Sequence, residues 1–435
     1  MWAVLVTMLA ASLPGLALQT PVVAAIQIQG NTATPDEDVR RLADIRVGMP
    51  FDDALVDQVA ARLRAAKRFE SVEVRKRFAS IADPSQIMLV IVVDEGPVKI
   101  VMTSDPEHPT KVVRKRLPNM LVLPILRRDD EVGITYGARL TAPEPRLFGK
   151  NSRVMYPITW GGTKQAGVDV EKRFDQGAPL DRLTFGGSLS RRENPAFQED
   201  DDRARVFVRA ERELVHGVRV GADTGWQRAS FEGTSDLFSN VRTDIIADTR
   251  IDPILARNAV YGRASIEHLQ FADRTRAPLV NPDQYAGYSG GVNRSELDGR
   301  GYLGFIGQTV LAARILRLDS NRPLPEYMQP QIGGMNTVRG FPAGYAVGDT
   351  LVAMSGELVV PLTSPLKIAK FGVTAFVDRG TVYNKGESFG DRPILEGYGG
   401  GVWFAAALFR VNVAIAHGRG APDPVRVHVG GNITF

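Results

Sequence analysis

From about Val132 to its end the chain alternates apolar side chains with polar or small ones, in short segments separated by Gly, Pro, Asp and Asn. Successive strand side chains point to opposite faces, so this alternation sorts each segment into two surfaces. Val132, Ile134, Tyr136, Ala138 and Leu140 share one face, and Gly133, Thr135, Gly137, Arg139 and Thr141 share the other. Val411, Val413 and Ile415 oppose Arg410, Asn412 and Ala414. Near the terminus Val425, Val427, Val429, Ile433 and Phe435 oppose Arg426, His428, Asn432 and Thr434. In a soluble sandwich the apolar face would meet a second sheet. Here the opposite face is too charged and too glycine-rich for anything but a wet lumen. Apolar-out, polar-in strands of about ten residues describe an outer-membrane barrel. About fifteen candidates occur, and single-chain bacterial barrels have even strand numbers. The pattern therefore predicts a 16-stranded antiparallel transmembrane β-barrel over residues 131–435. One strand is then hidden among the irregular segments before residue 300, and fourteen is the other even count to consider.

The preceding segment has a different grammar. "IQIQGN" is a short strand closed by Gly30 and Asn31. "TPDEDVRRLADI" carries helix signals, with Thr34 as N-cap, Pro35 at the first helical position and acids in the first turn. A second helix starts near Asp52, with Phe51, Leu55, Val59 and Leu63 at helical spacing. "FESVEVRKRF" and "QIMLVIVVDEGP" read as two strands. The order β-α-α-β-β over residues 22–97 predicts an α+β domain: a three-stranded sheet with two helices on one face. Residues 98–130 read as linker and barrel entry. Residues 1–21 read as a signal peptide, with Met1 to Leu13 as its apolar core and cleavage near Ala17. Its start lacks Lys or Arg; the competing reading, an anchor helix, is interrupted by Pro14 well short of the ~20 residues a span needs.

Composition changes this picture little. A net charge of +4 from 53 basic and 49 acidic residues gives no support to nucleic-acid binding. Cysteine is absent, which excludes disulfides and thiolate sites. The five histidines, at positions 108, 216, 268, 417 and 428, show no metal-ligand spacing. Gly287-Tyr288-Ser289-Gly290-Gly291 matches the G-x-S-x-G elbow of hydrolases. That elbow needs a strand-to-helix turn, and this one lies inside an alternating strand pattern. The expectation is a protein without catalytic residues, metal or cofactor.

Two stretches carry a resemblance. "GMPFDDALVDQVAARLRAAKRFESVEV" and the closing "VDEGP" resemble a POTRA domain. That implies a periplasmic module whose sheet edge takes client strands by β-augmentation. "QIGGMNTVRGFPAGYAVGDTLVAMSGELVVPL" resembles the BamA/TamA superfamily of barrel-assembly and translocation proteins, of bacterial surface antigen type. The family carries a Val-Arg-Gly-aromatic motif on a long extracellular loop that folds into the lumen. Here it is Val338, Arg339, Gly340 and Phe341, on a loop of residues 318–348. "FVDRG" matches the family's Phe-x-Asp-x-Gly motif as Phe376, Asp378 and Gly380. If Val377 meets lipid, period two points Asp378 into the barrel, and Arg339 and Asp378 become the expected ion pair, as the resemblance also implies. Glu357 faces inward too if Met354, Leu358 and Val360 face lipid. A guanidinium can grip a carboxylate with two hydrogen bonds, which a lysine cannot, so a loop entering a lumen has reason to use Arg. The terminal Phe435 resembles the C-terminal signal by which barrel proteins are recognised for assembly.

Taken with the resemblance, the expected function is insertion or transport of unfolded or secreted polypeptide clients through a POTRA domain and a laterally gated barrel. Glycines in "GYGGGVWF" and at Gly430-Gly431 would soften the closing strands. The expected partners are the outer-membrane bilayer, client polypeptides and accessory envelope proteins. A passive pore or a lipid-export barrel is the alternative. Deleting Phe435 should sharply lower membrane levels, with the truncated chain degraded in the periplasm. Immunoblots of membrane fractions test this, and normal levels would make Phe435 an ordinary strand residue.

Overall fold

A computed structural model describes residues 21–433, apart from 32–33, 70, 81–82, 96–97, 103–109, 115–119, 131, 144, 146, 176, 253–254, 273–287, 367–368 and 407–408. Residues 1–20 of the 1–21 segment read as a signal peptide, and Phe435, therefore lie outside the described residues. The chain divides into two compact units between Glu95 and Gly96.

The first unit is built as β1 (Val22–Gln29), α1 (Asp36–Ala43), α2 (Asp53–Ala65), β2 (Ser71–Phe78) and β3 (Gln86–Asp94). The sheet order is β1-β3-β2, with β1 parallel and β2 antiparallel to β3. Val39 of α1 and Leu55, Val59 and Leu63 of α2 are buried, as are Ile87, Leu89 and Ile91 of β3. The apolar stripes of both helices thus supply the core that a sheet of three strands cannot make alone. Asp52 caps α2 by accepting from the Leu55 N–H at 2.7 Å. The start of α1 falls one residue later than the capping pattern predicts. Pro35 occupies the N-cap position without a side-chain cap, while the Thr34 N–H donates to Glu95 at 2.8 Å.

In the second unit sixteen antiparallel strands close into a barrel, from Leu121–Asp129 to Val425–Ile433, and the last strand pairs with the first. The first strand begins inside the segment read as linker and barrel entry, ahead of the expected start at 131. It is the strand missing from the sequence count, because Pro124 and the charged run Arg127–Asp130 obscure its alternation. Ahead of the barrel, Val98–Met102 and Thr110–Arg114 pair as a separate ribbon.

Alternation holds along the wall. Val206, Val208, Trp226, Val241, Ile245 and Val377 are exposed on the outside. On the other face of the same strands Asp223, Asp244 and Asp378 are buried. Arg209 answers this inward charge, donating to Asp244 at 2.9 Å, Asp223 at 3.1 Å and Glu211 at 3.0 Å. An unpaired charge facing a confined lumen would be costly, so acids and arginines interleave across strands.

The sixteen strands close into a barrel, so the folded protein should resist detergent until boiled. Semi-native electrophoresis should show heat-modifiable migration of a protein recovered with outer membranes. Recovery in the soluble periplasmic fraction would overturn the architecture.

Candidate functional site

Residues 321–349 join the strands Val310–Ser320 and Thr350–Leu366. Pro323, Pro325, Pro330 and Pro342, with five glycines, deny this loop regular structure. It keeps a 3-10 turn, Glu326–Met328, and a two-residue ribbon pairing Gln331–Ile332 with Ala346–Val347. The loop is nevertheless buried. Leu324 and Tyr327 pack with Phe231, Phe238 and Phe271 of the wall. Ile332, Val338 and Phe341 pack with Leu316, Leu351, Ala353 and Val382. Polar anchors accompany these contacts. Tyr327 donates its hydroxyl to Asp236 at 2.7 Å, and Gln331 donates to Asn194 at 2.6 Å. Asp349 accepts from the Leu324 N–H at 2.6 Å and the Lys385 N–H at 2.9 Å.

At the loop's centre Arg339 lies over two adjacent cross-strand pairs, Ser355 with Asp378 and Glu357 with Phe376. Its Nε donates to Asp378 Oδ2 at 2.7 Å and its Nη2 to Oδ1 at 2.8 Å, a bidentate fork. The Arg339 backbone N–H adds a third bond to the same carboxylate at 3.1 Å. Ser355 donates its hydroxyl to Asp378 at 2.6 Å and accepts from Arg339 Nη2 at 3.2 Å. Glu357 stands 3.5 Å from Nη1, and the guanidinium carbon is 3.4 Å from the centre of the Phe376 ring. The side chains are 9% and 1% exposed for Arg339 and Asp378, so this pair is desolvated. Such a pair holds position because the two-pronged fork and the backbone N–H fix the carboxylate from three donors.

The row continues across the next strands as Gly397 and then Gly418. A Cβ on Gly397 would sit 1.7 Å from the Arg339 carbonyl oxygen, and one on Gly418 would sit 2.5 Å from the Gly340 carbonyl oxygen. The two glycines form a groove into which the loop backbone settles. Gly340 itself has φ of 95°, where glycine is favoured. Gly380 clears space for Val338, whose Cγ2 would lie 3.1 Å from an added Cβ. Glycines in the closing strands, read from sequence as softness, thus include at least one packing role at Gly397.

Beyond the groove the loop reaches the barrel seam. The Gly340 N–H donates to His428 Nε2 at 2.9 Å. That nitrogen must carry a lone pair, so the proton sits on Nδ1 and is donated to Asp130 Oδ2 at 2.5 Å. His428 lies on the last strand and Asp130 immediately follows the first. One imidazole therefore joins loop, last strand and first strand. The seam there has three described residue pairs, against nine between each seam strand and its other neighbour.

The structure brings together Val338, Arg339, Gly340, Phe341, Glu357, Phe376, Asp378 and Gly380. Phe435 lies outside the described residues. Sequence reading placed His428 on the inward face but gave it no part, and it missed Ser355 and Asp130. Parity alone signals that His428 points inward; its two partners come from distant segments. Among the described residues no group of three His, Asp or Glu side chains is placed to hold a metal ion.

A family model described as the Omp85 superfamily domain matches residues 138–435, and a second, the surface antigen variable number repeat or POTRA, matches residues 21–96. No curated protein matches the chain. Among solved structures, BamA from Haemophilus ducreyi lacking POTRA domains 1-3 aligns with a TM-score of 0.59 at 13% identity, covering 95% of this chain and 84% of that one. CdiB from Escherichia coli aligns with a TM-score of 0.49 at 12% identity, covering 97% and 92% respectively. CdiB from Acinetobacter baumannii gives 0.46 at 13% identity, covering 94% and 73%. With its barrel matched almost end to end and a POTRA domain before it, this chain belongs to the Omp85 superfamily.

Proposed function

We propose that the protein inserts or transports polypeptide clients at the outer membrane, receiving them at its periplasmic POTRA sheet and passing them to the barrel seam. Omp85 proteins are transport and assembly proteins rather than enzymes. The observation that carries the reading is the hydrogen-bonded chain from Gly340 through His428 to Asp130, which ties a tethered lumen loop to the last strand and to the residue that follows the first. With three residue pairs among the described residues, the seam is a low-cost place for the wall to part, and a loop bonded to it could hold it shut or release it. A passive pore is the poorer reading, because residues of the loop fill inward-facing space with two buried clusters.

Client entry is assigned to β2. The first residues of β1 are already engaged on their outer side: the Val23 N–H donates to the Met49 carbonyl at 2.9 Å and the Gly48 N–H to the Val23 carbonyl at 2.7 Å. The opposite edge of the sheet is β2, where a client strand adds main-chain hydrogen bonds with little demand on its sequence.

The tether is Arg339 on Asp378. Removing either partner strands the other charge, at a cost of about 3–5 kcal/mol for a buried pair. Arg339→Ala should free the loop to protease in intact cells and impair function while the barrel still forms. Asp378→Ala should do the same, and the double variant should be little worse than either. Arg339→Lys, keeping charge without the fork, should be intermediate. Simple additivity of the two single effects would show that the residues do not act as a pair.

For the client, a photo-crosslinker at Val74 of β2 should capture envelope polypeptides and one at Val23 of β1 should not. Depleting the protein and profiling the outer membrane should show loss of a set of barrel or secreted proteins. An unchanged proteome with altered lipid composition would overturn the polypeptide reading in favour of lipid export.

A further inference from the structure

The turns at one end of the barrel are unequal. Consecutive connections of an antiparallel meander alternate ends, so residues 216–217, 249–258 and 305–309 all lie opposite loop 321–349. Two residues suffice for a tight hairpin, yet the connection between Thr234–Asp248 and Ala259–Phe271 takes ten. A long turn on a barrel rim would ordinarily trail in water. Here Asp252 is 0%, Ala256 7% and Arg257 9% exposed. Taking a carboxylate wholly out of water is costly unless polar partners receive it, so contacts must hold this turn inward.

Three contacts place its side chains on the lumen side of the wall. Arg250, fixed by Asp248 through two bonds of 2.9 Å, lies 4.4 Å from the centre of the Tyr261 ring. Tyr261 pairs with Arg300 and shares the inward parity of the buried Ser265 and Glu267. Gly304 shares the inward parity of the buried Asp298, and a Cβ added there would sit 2.5 Å from the Arg257 guanidinium carbon. Arg257 Nη1 also donates to the Thr309 carbonyl at 3.1 Å. The third contact spans the lumen. Arg410, on the inward face of Phe409–Arg419, interacts electrostatically with Glu357, Tyr302 and Asp252. Its strand is six steps from Ala259–Phe271, about 29 Å around the wall at the usual strand spacing. Asp252 therefore meets that cation by crossing the lumen, not by following the wall. The buried Trp403 stands beside Arg410, with 5.6 Å between its ring centre and the guanidinium carbon.

We propose that Arg250, Asp252, Ala256 and Arg257 form a bar across this mouth of the lumen, pinned by Asp252 to Arg410, and that it restricts the passage of ions and small solutes while the protein is idle. The residues are suited to the task. Arg250 and Arg257 anchor the two ends of the bar to the wall from which it springs, and Asp252 between them carries the charge that the far wall attracts. Removing Asp252 or Arg410 leaves the other charge with fewer partners in a confined space, so the bar loses its far support and not its near one. A barrel that parts at its seam keeps such a bar in place, whereas passage along the lumen axis must displace it. The bar acts in the same way whether clients are polypeptide or lipid, and in the proposed orientation it faces the periplasm.

Single-channel conductance of the purified full-length protein in planar bilayers tests the bar. Asp252→Asn and Arg410→Gln should each raise the mean conductance at least twofold. Both are measured in the natural chain and in an Arg339→Ala background, where the loop at the other end is released. Arg379→Gln, an exposed position on the outer wall, should raise it in neither. The chain has no cysteine, so Asp252→Cys with Arg410→Cys offers a single pair to a short bis-maleimide. That pair should conduct like the point variants before cross-linking and like its parent chain afterwards. Conductance unchanged by both point variants in both backgrounds would overturn the bar, and so would a cysteine pair that the reagent fails to bridge. Bridging without a fall in conductance would show a contact that obstructs nothing, which overturns it equally. Heat-modifiable migration of every variant shows that a rise in conductance is not a loss of fold. Depletion proteomics reads the client separately, so either proposal can fail without the other.

Discussion

A guanidinium and a carboxylate buried face to face inside a lumen set the terms for the rest of this molecule. Arg339 can be where it is only because Asp378 accepts three of its hydrogen bonds, and Asp378 can be buried only because Arg339 neutralises it. Breaking the pair would leave two desolvated charges, so the loop that carries Arg339 has one favoured place. Everything nearby is shaped to that place: Ser355 and Glu357 complete the polar shell, Phe376 lies flat against the cation, and Gly397 and Gly418 yield room for the loop backbone.

The same placement brings the loop to the join of first and last strands, which has three residue pairs among the described residues. A β-barrel is stable because closure removes edges, and the strength of closure follows the number of residues paired across it. Where the pairing is short, side-chain bonds matter more. His428 supplies such a bond on each ring nitrogen, one to the loop backbone and one to the carboxylate beyond the first strand. A loop held by Arg339 and joined to the seam through His428 couples two places that are remote in sequence. In this architecture a change at the loop has a direct physical route to the seam.

The outer and inner faces answer different solvents with the same strands. Outward rows are apolar except at the rims, where Lys164, Arg191 and Arg228 mark the boundary. Inward rows hold arginines and acids in alternating contact, as around Arg209. The period-two pleat makes this possible, since one residue of displacement exchanges lipid for lumen.

That pleat is also what made the fold legible. Alternation with turn residues fixes strand, face and barrel class from local sequence, and the helix stripes of the N-terminal unit are equally local. Parity alone tells that Asp378, Glu357 and His428 point inward, because it depends only on which neighbours face lipid. It could not find the first strand, where Pro124 and a charged run interrupt the pattern. Nor could it say which inward residues meet. Asp130 and His428 are brought together by closure of the barrel, and Gly397 faces the Arg339 carbonyl through the path of a loop without periodicity. Local sequence carries the direction of each side chain; only closure and the course of the loop decide its partner, because those contacts join segments whose separation along the chain no periodicity records.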